Sequence, residues 1–193
     1  VNMCHDCHHL QLTHAVNPKL IYEHYLYVSG TSTSYMRYMS WYAKFAIETY
    51  RTHAGRLPNT VLDIGCNDGS QLNFFTDEGL KTFGVDPAKN LYQTSSRNGH
   101  HVVCDFWNKS AATEIAHHAE GAVDIITSQN AFAHIPDLLS YLGNVREIMH
   151  EDSLMFVSTS QADMVLNDEF DTIYHEHISF FNVKSMKALA ERA

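Results

Sequence analysis

Basic residues are scarce in this sequence and nowhere form a run. The chain carries 13 Lys+Arg against 22 Asp+Glu, which gives a formal net charge of -9. No segment has the density of positive charge that neutralises a line of phosphates. We therefore expect no nucleic-acid partner.

Long apolar runs are also lacking, and cysteines are few. No stretch approaches the length that crosses a bilayer, and the first residues are polar and rich in histidine rather than basic and then apolar. We expect a soluble cytoplasmic protein with no membrane partner. Of the four cysteines, Cys66 and Cys104 lie in apolar, strand-like runs, where cysteine behaves as a small buried hydrophobe. A disulfide framework is not expected.

What is present is enough apolar material for one core, arranged in alternating patterns. Hydrophobic residues make up 45% of the 193 positions and charged residues 18%. Strand-like and helix-like runs alternate from residue 60 onward, which predicts parallel strands joined by right-handed crossovers in a doubly wound α/β sheet. The predicted strands are Thr60 to Ile64, Lys81 to Val85, His101 to Cys104, Val123 to Ser128 and Ser153 to Thr159. The predicted helices are Tyr35 to Tyr50, Gln71 to Glu78, Ala88 to Asn98, Ser110 to His118, Ile135 to Met149 and a last one from Val183.

A glycine-rich loop follows the first predicted strand and opens a helix. It has the form Asp63-x-Gly65-x-x-x-Gly69, and glycine at these positions permits a tight turn and a close approach of ligand to backbone. Asp86 ends the next strand, where a carboxylate can accept both hydroxyls of a ribose. The two loops, including Cys66, Asn67 and Pro87, are candidates for cofactor binding. The glycines alone are also compatible with an ordinary turn.

The charge of this loop separates two cofactor classes. A dinucleotide enzyme uses the tighter G-x-G-x-x-G loop with a pyrophosphate at the helix N-terminus. Here Asp63 replaces the first glycine and Asp68 precedes the last one. Carboxylates repel a pyrophosphate but suit a ligand that carries an ammonium and a sulfonium. The loop favours S-adenosylmethionine over NAD.

Two further strand ends contribute candidates to the same crevice, because ligands bind at the carboxyl ends of strands in such sheets. Asp105 follows the third strand and can accept from an adenine amino group, while Phe106 or Trp107 can cover the ring. The alternative is that Asp105 only caps a helix. Gln129 and Asn130 end the fourth strand.

Several segments together resemble the sugar C-methyltransferases that act on nucleotide-linked keto-hexoses. The resemblance covers nearly the whole chain, and the Tyr-His-Glu-His segment is its narrowest feature. It implies a Rossmann-like class I methyltransferase fold and a nucleotide-sugar substrate. The segments are Tyr22 to Ser32, Val61 to Ser70, Asn130 to Asp137 and Tyr174 to His177.

The resemblance also implies a domain plan. Family members begin with a zinc-binding domain built from two cysteine pairs, continue into the methyltransferase core and finish with a second α/β domain. We accordingly expect a partial zinc-binding segment at 1–33 and the core at 34–193, in a chain truncated at both ends. Cys4 and Cys7 form one pair, so the expected zinc site is incomplete, and its other ligands lie upstream or are His5, His8 and His9.

The chemistry that the resemblance implies is methylation of carbon. A proton next to a ketone is removed and the enolate oxygen is stabilised while the carbon attacks the methyl group. By family position, His177 is the base, Glu176 orients or polarises its neighbours, and Tyr174 and His134 donate hydrogen bonds to the enolate. Tyr27 reaches over the pocket, with Tyr25 and Tyr22 as alternatives.

Other interpretations stay open. Tyr174 is compatible with a core aromatic role, and His175 with His177 is compatible with a metal pair. The sequence also departs from the family after the fifth strand, where an acidic residue and a proline are usual and this chain has Val157-Ser-Thr-Ser-Gln-Ala162. The alternatives to a C-methyltransferase are an O- or N-methyltransferase of another small molecule, and a non-catalytic cofactor-binding fragment.

Overall fold

The computed structural model describes residues 1–193, apart from the side chains at positions 165 and 170. The strands are β1 (Asn2–Met3), β2 (Leu10–Gln11), β3 (Thr60–Ile64), β4 (Lys81–Val85), β5 (His101–Val103), β6 (Ile125–Gln129), β7 (Leu154–Ser158) and β8 (Ser179–Phe180). The helices are α1 (Pro18–Tyr22), α2 (Thr33–Ala54), α3 (Ser70–Asp77), α4 (Tyr92–Ser95), α5 (Lys109–Ala119), α6 (Leu138–Glu147) and α7 (Val183–Arg192). A short 3-10 turn at Phe132–His134 precedes α6.

The central sheet has five strands in the order β5-β4-β3-β6-β7. All neighbouring pairs are parallel, and the predicted doubly wound α/β sheet is confirmed. The strand order reverses between β3 and β6, which is the topological switch point where such sheets bind ligands. The predicted strands agree with the observed ones to within two residues at each end.

Helices cover both faces of this sheet, because successive strand residues point to opposite sides. On one face Leu62 packs in the large cluster formed with α5 and α6. On the other face Val61 packs with Tyr50 of α2 and Phe75 of α3, all of them fully buried. In the part of the chain that the structure describes, no helix combines the length and apolar character needed to cross a bilayer.

The helix predicted from Ala88 to Asn98 is wrong in extent, since α4 covers only Tyr92–Ser95. The side chain of Asn90 accepts from the Tyr25 amide at 3.0 Å and donates to the Tyr25 carbonyl at 2.8 Å. Asp86 accepts the amide of Ala88 at 2.8 Å. These side-chain bonds replace the first turns of a helix and attach the N-terminal segment to the end of β4.

The helix predicted from Ile135 begins later, at Leu138. Asp137 is its N-cap and accepts from the amide of Ser140 at 3.1 Å. Conversely, α2 is longer than predicted. Its cap is Ser32, whose hydroxyl accepts from the amide of Tyr35 at 3.3 Å, and it ends at Gly55 with φ 69°.

A second, small sheet joins the two ends of the chain. The hairpin of β1 and β2 pairs with β8, with Leu10 opposite Phe180. His9 packs on the ring of Phe181 at 4.8 Å between centroids, and its Nε2 lies 3.2 Å from the Ser179 hydroxyl. The segment 174–181 is thereby held next to Phe132 of the central core.

Candidate active site

A cavity of ≈ 570 Å³ lies at the carboxyl ends of β3, β4 and β6, at the topological switch point. Three separate parts of the chain form its wall: the loops of the central sheet, the tyrosines of the N-terminal segment and the segment after β7. Most of the predicted site residues lie in this wall, namely Tyr27, Gly65, Asn67, Asp86, Pro87, Phe106, Gln129, Asn130, His134, Tyr174 and His177.

Asp86 is fixed by the backbone around it. Its two carboxylate oxygens accept the amides of Asn67 and Ala88, each at 2.8 Å. Burial raises the pKa of this carboxyl above its usual value, and the two hydrogen bonds from backbone amides only partly offset that effect. Each oxygen keeps a free lone pair, so the group can still accept hydrogen bonds from a ligand in the cavity.

Asp63 lies behind the wall rather than in it. Its side chain is 3% exposed and accepts the Thr127 hydroxyl at 2.7 Å. Burial, with a smaller contribution from the charge of Asp86, outweighs the hydrogen bond from Thr127 and raises the pKa of this carboxyl to about 7. No described cation lies against it, and the described wall of the cavity contains no lysine or arginine. Such a site is acidic and suits a cationic ligand better than a pyrophosphate.

Gly65 brings the first loop close to the cavity. Its φ is +88°, and a Cβ atom there would lie 2.7 Å from the Cβ of Ala131. Only glycine fits this position without displacing the backbone.

Three other predicted cofactor residues lie outside the wall in the described structure. The thiol of Cys66 packs under Gly84 in an apolar cluster, and burial raises its pKa. Gly69 caps α3 with φ +79° against Ser95. Asp105 is exposed and accepts from the Phe106 amide and from the Asn108 side chain, at 2.8 and 2.9 Å. It is not the helix cap of the alternative interpretation either, since Asn108 is the N-cap of α5.

Asp68, which the sequence places beside the cofactor, binds the backbone instead. Its carboxylate accepts the amides of Gly30 at 3.0 Å and Ser70 at 3.1 Å. It therefore attaches the N-terminal segment to the start of α3. Its charge still acts on the site, because it contributes to the raised pKa of Asp86.

The imidazole of His177 is held in one orientation. Its Nδ1 lies 2.9 Å from the carbonyl oxygen of Thr172, and a carbonyl can only accept, so Nδ1 carries the proton in the neutral ring. Nε2 then has the lone pair, and it lies 3.3 Å from the hydroxyl of Tyr174. Both side chains line the cavity, so an imidazole and a phenol hydroxyl lie next to each other in its wall.

His134 lies between two rings on the same wall. It stacks on Tyr22 at 5.3 Å and on His177 at 5.2 Å between centroids. Its Nε2 is buried without a hydrogen-bond partner among the described residues. Burial, together with the nearby His177, lowers the pKa of His134 to about 4. At neutral pH the ring is uncharged and has a polar atom available to a ligand.

The glycine turn at Gly65, the carboxylate of Asp86 and the pair of His177 and Tyr174 thus line one cavity at the end of a doubly wound sheet. Residues 35–193 match the family described as Methyltransferase domain. The chain belongs to this family.

Two relatives extend the likeness of this methyltransferase domain. The C-methyltransferase NovU of Streptomyces niveus is 31% identical over 192 residues, which are 99% of this chain and 45% of NovU. A ubiquinone biosynthesis O-methyltransferase of Glaesserella parasuis is 26% identical over 115 residues, which are 54% of this chain and 47% of that protein. The chain spans less than half the length of either relative.

A solved structure supports the fold of the methyltransferase domain. The plantazolicin methyltransferase BpumL in complex with SAH superimposes with a TM-score of 0.66, over 83% of this chain and 64% of that one, at 14% identity. The predicted Rossmann-like methyltransferase fold is thereby confirmed.

Glu176 of the methyltransferase domain is not one of the described residues that line the cavity, and it lies behind the wall. Its carboxylate accepts the hydroxyl of Tyr25 at 3.2 Å, and Tyr25 lines the cavity. Burial, with the charge of Glu176, raises the pKa of Tyr25. Glu176 therefore orients Tyr25 of the N-terminal segment. Tyr22 and Tyr27 also line the cavity.

The sequence did not single out Tyr35 and Ser160. The Tyr35 hydroxyl accepts from the Asn130 side chain at 3.3 Å in the cavity wall, although the helical spacing had suggested only packing. The Ser160 hydroxyl lies 3.2 Å from Nδ1 of His177. The available signal for Ser160 was its position just after β7, the last strand of the central sheet, because ligands bind at the carboxyl ends of such strands.

Cys4 and Cys7 do not line this cavity and lie between β1 and β2 of the N-terminal hairpin. Cys4 is exposed and Cys7 half-buried, and both are free thiols. Within the described chain, these thiols do not belong to a cluster of three side chains that converge as metal ligands.

Proposed function

We propose that this protein transfers a methyl group from S-adenosylmethionine to a carbon beside the keto group of a nucleotide-activated deoxysugar. The observation that carries the proposal is the pair of His177 and Tyr174, with the unprotonated Nε2 of the imidazole 3.3 Å from the phenol hydroxyl. The pair shares its cavity with Gly65 and Asp86. The likeness to the C-methyltransferase NovU supports the same reaction.

The acidic end of the cavity fits the cofactor. Asp86 would accept the ribose hydroxyls, Phe106 and Trp107 would cover the adenine, and Asp63 would face the positive charge from behind the loop. When bound, S-adenosylmethionine supplies an electrophilic methyl group. The chain's own residues orient it and exclude water.

The other end of the cavity fits a ketone. His177 Nε2 removes the proton from the carbon next to the keto group, and the Tyr174 hydroxyl donates to the oxygen on which negative charge develops. The carbon forms a bond to the methyl as the sulfur–methyl bond breaks, and the proton stays on the imidazole until it passes to solvent. The buried Nε2 of His134 is a second group available to the substrate.

A product analysis tests this function. The protein is incubated with deuteromethyl-labelled S-adenosylmethionine and a panel of nucleotide keto-deoxysugars, with the corresponding reduced sugars as controls. We expect label on carbon, from keto sugars only. Tyr174→Phe and His177→Gln should each slow turnover at least ~100-fold, while calorimetry shows unchanged affinity for S-adenosylhomocysteine. Methylation by His177→Gln at the wild-type rate would contradict the assignment of the base.

O-methylation of another small molecule is the second candidate, because part of the chain is similar to an O-methyltransferase. The same assay separates the two reactions, since a methyl on oxygen and a methyl on carbon differ in carbon chemical shift. Transfer to the hydroxyls of the reduced sugars, independent of His177, would favour the second candidate.

For the N-terminal segment we keep the proposal that residues 1–33 are part of a zinc-binding unit, with Cys4 and Cys7 as two of its ligands. Their C-x-x-C spacing is typical of structural zinc sites. Mass spectrometry of the native protein, with and without chelator, tests it. Zinc retained by Cys4→Ser/Cys7→Ser to the wild-type level would refute it.

A further inference from the structure

A cluster of three side chains lies away from the cavity, where the edge strand β5 meets α5. Glu114 and His118 are four residues apart on α5, so they project from the same face of the helix. His101, the first residue of β5, faces them from the sheet. One ligand atom from each of the three lies within 4.8 Å of the other two.

One atom of the cluster lacks a hydrogen-bond partner among the residues that the structure describes, while Glu114 and His118 are exposed. Nε2 of His101 is buried and has no hydrogen-bond partner in the described part of the chain, although Oε1 of Glu114 lies 3.4 Å away. The rings of His101 and His118 are only 3.8 Å apart between centroids. A bound cation would satisfy a buried ring nitrogen that lies beside a carboxylate and a second imidazole.

The donor set and spacing fit zinc. Two imidazoles and one carboxylate are among the common ligands of Zn²⁺, and ligand atoms about 2.0–2.1 Å from a tetrahedral ion are about 3.4 Å from one another. The contact between His101 and Glu114 already has this length.

We propose that His101, Glu114 and His118 bind a divalent transition metal of the zinc class, with water completing the coordination. This site is separate from the methyl-transfer cavity and does not depend on the proposed function.

A neighbouring positive charge reduces the expected affinity of the cluster for metal but does not prevent binding. The ammonium of Lys81 lies next to the cluster, where it donates to the His118 carbonyl at 2.7 Å and pairs with Glu120 at 3.5 Å. Its charge weakens cation binding. A metal here would link β5 to α5 and brace the segment between them, which carries Phe106 of the cavity wall.

Metal titration of the untagged full-length protein tests the proposal. Zn²⁺ binding is followed by calorimetry and Co²⁺ binding by its visible d–d absorption, both in the Cys4→Ser/Cys7→Ser background so that thiolates do not contribute. We expect one bound ion, and a rise in melting temperature with metal. Glu114→Gln and His118→Ala should each weaken binding at least ~10-fold.

His117→Ala is the matched control, because His117 neighbours His118 on the helix but is not a member of the cluster. It should bind the metal as tightly as the parent does. Thermal unfolding in chelator shows whether each variant folds. Equal affinity in the parent and both ligand variants, or no binding by a folded parent, would overturn the proposal.

Discussion

Asp63 is a buried carboxyl group whose charge bears directly on the proposed cofactor site. It is 3% exposed, with one hydrogen bond from Thr127 and no described cation beside it. A carboxylate in that position destabilises the free protein, and a cationic ligand relieves it. The sequence predicted that Asp63 makes the cofactor loop acidic. It did not reveal that the side chain lies behind the loop.

Asp63→Asn should change how stability depends on pH. Burial raises the pKa of Asp63 to about 7, so between about pH 4 and 7 the folded protein holds a proton that the unfolded chain has released. The stability of the free wild-type protein therefore falls as pH rises through this range, by up to ~1.4 kcal/mol per pH unit from this group.

Urea unfolding at several pH values measures this effect. The Asn variant keeps the hydrogen bond from Thr127 and should show a flatter pH profile than the wild type. Identical profiles would contradict the assigned protonation of Asp63.

Gly65→Ala should abolish cofactor binding. The new Cβ would lie 2.7 Å from that of Ala131, in a backbone with φ +88°, and we expect at least ~1 kcal/mol of destabilisation from the strained backbone. Gly143→Ala is the control, because that position is helical and open, and alanine there should stabilise the helix by ~1 kcal/mol. Equal affinity of both variants for S-adenosylhomocysteine would contradict the close-approach role of Gly65.

At the level of strands and helices, sequence patterns predicted the central sheet but not the extent of every helix. The five parallel strands followed from apolar runs alone, since strands buried on both faces leave a strong signal. The helix after β4 did not, because Asn90 binds the distant backbone of Tyr25. Long-range side-chain bonds of this kind have no local sequence signature.

Asp124 joins several elements at the opposite end of the sheet from the cavity. Its carboxylate accepts the Tyr50 hydroxyl at 2.7 Å, the Arg56 guanidinium at 2.8 Å and the Asn59 amide at 2.7 Å. Burial raises the pKa of Asp124, but these bonds and one from His150 outweigh it and hold the pKa well below its usual value.

Asp124→Asn should therefore destabilise the protein by about 3 kcal/mol. Arg56 loses its charged partner, and the new side-chain NH₂ group faces hydrogen-bond donors that it cannot accept from. A lowered pKa stabilises the fold above about pH 4 and loses that contribution as pH falls, so the deficit of the variant should shrink in acid. Urea unfolding measures both, with the exposed Asp77→Asn as control. A deficit that stays constant down to low pH would contradict this assignment.

At the scale of the whole molecule, the candidate site is assembled from residues more than one hundred positions apart. The sequence identified the glycine loop, the N-terminal tyrosines and the Tyr-His-Glu-His segment separately, and their resemblance to one family suggested that they meet. Their actual contacts arise from the pairing of β2 with β8 and from the bond of Tyr25 to Glu176. These contacts depend on tertiary packing and could not be read from any one segment.

The central claim is that His177 removes a proton from carbon. Its most direct test is hydrogen exchange in D₂O, with S-adenosylhomocysteine in the cavity and the keto sugar that the product analysis identifies. We predict loss of the NMR signal of the proton next to the ketone with wild-type protein, and a rate at least ~100-fold lower in His177→Gln. Exchange that is equally fast in the two proteins, or absent from a wild type that still methylates this sugar on oxygen, would contradict the account.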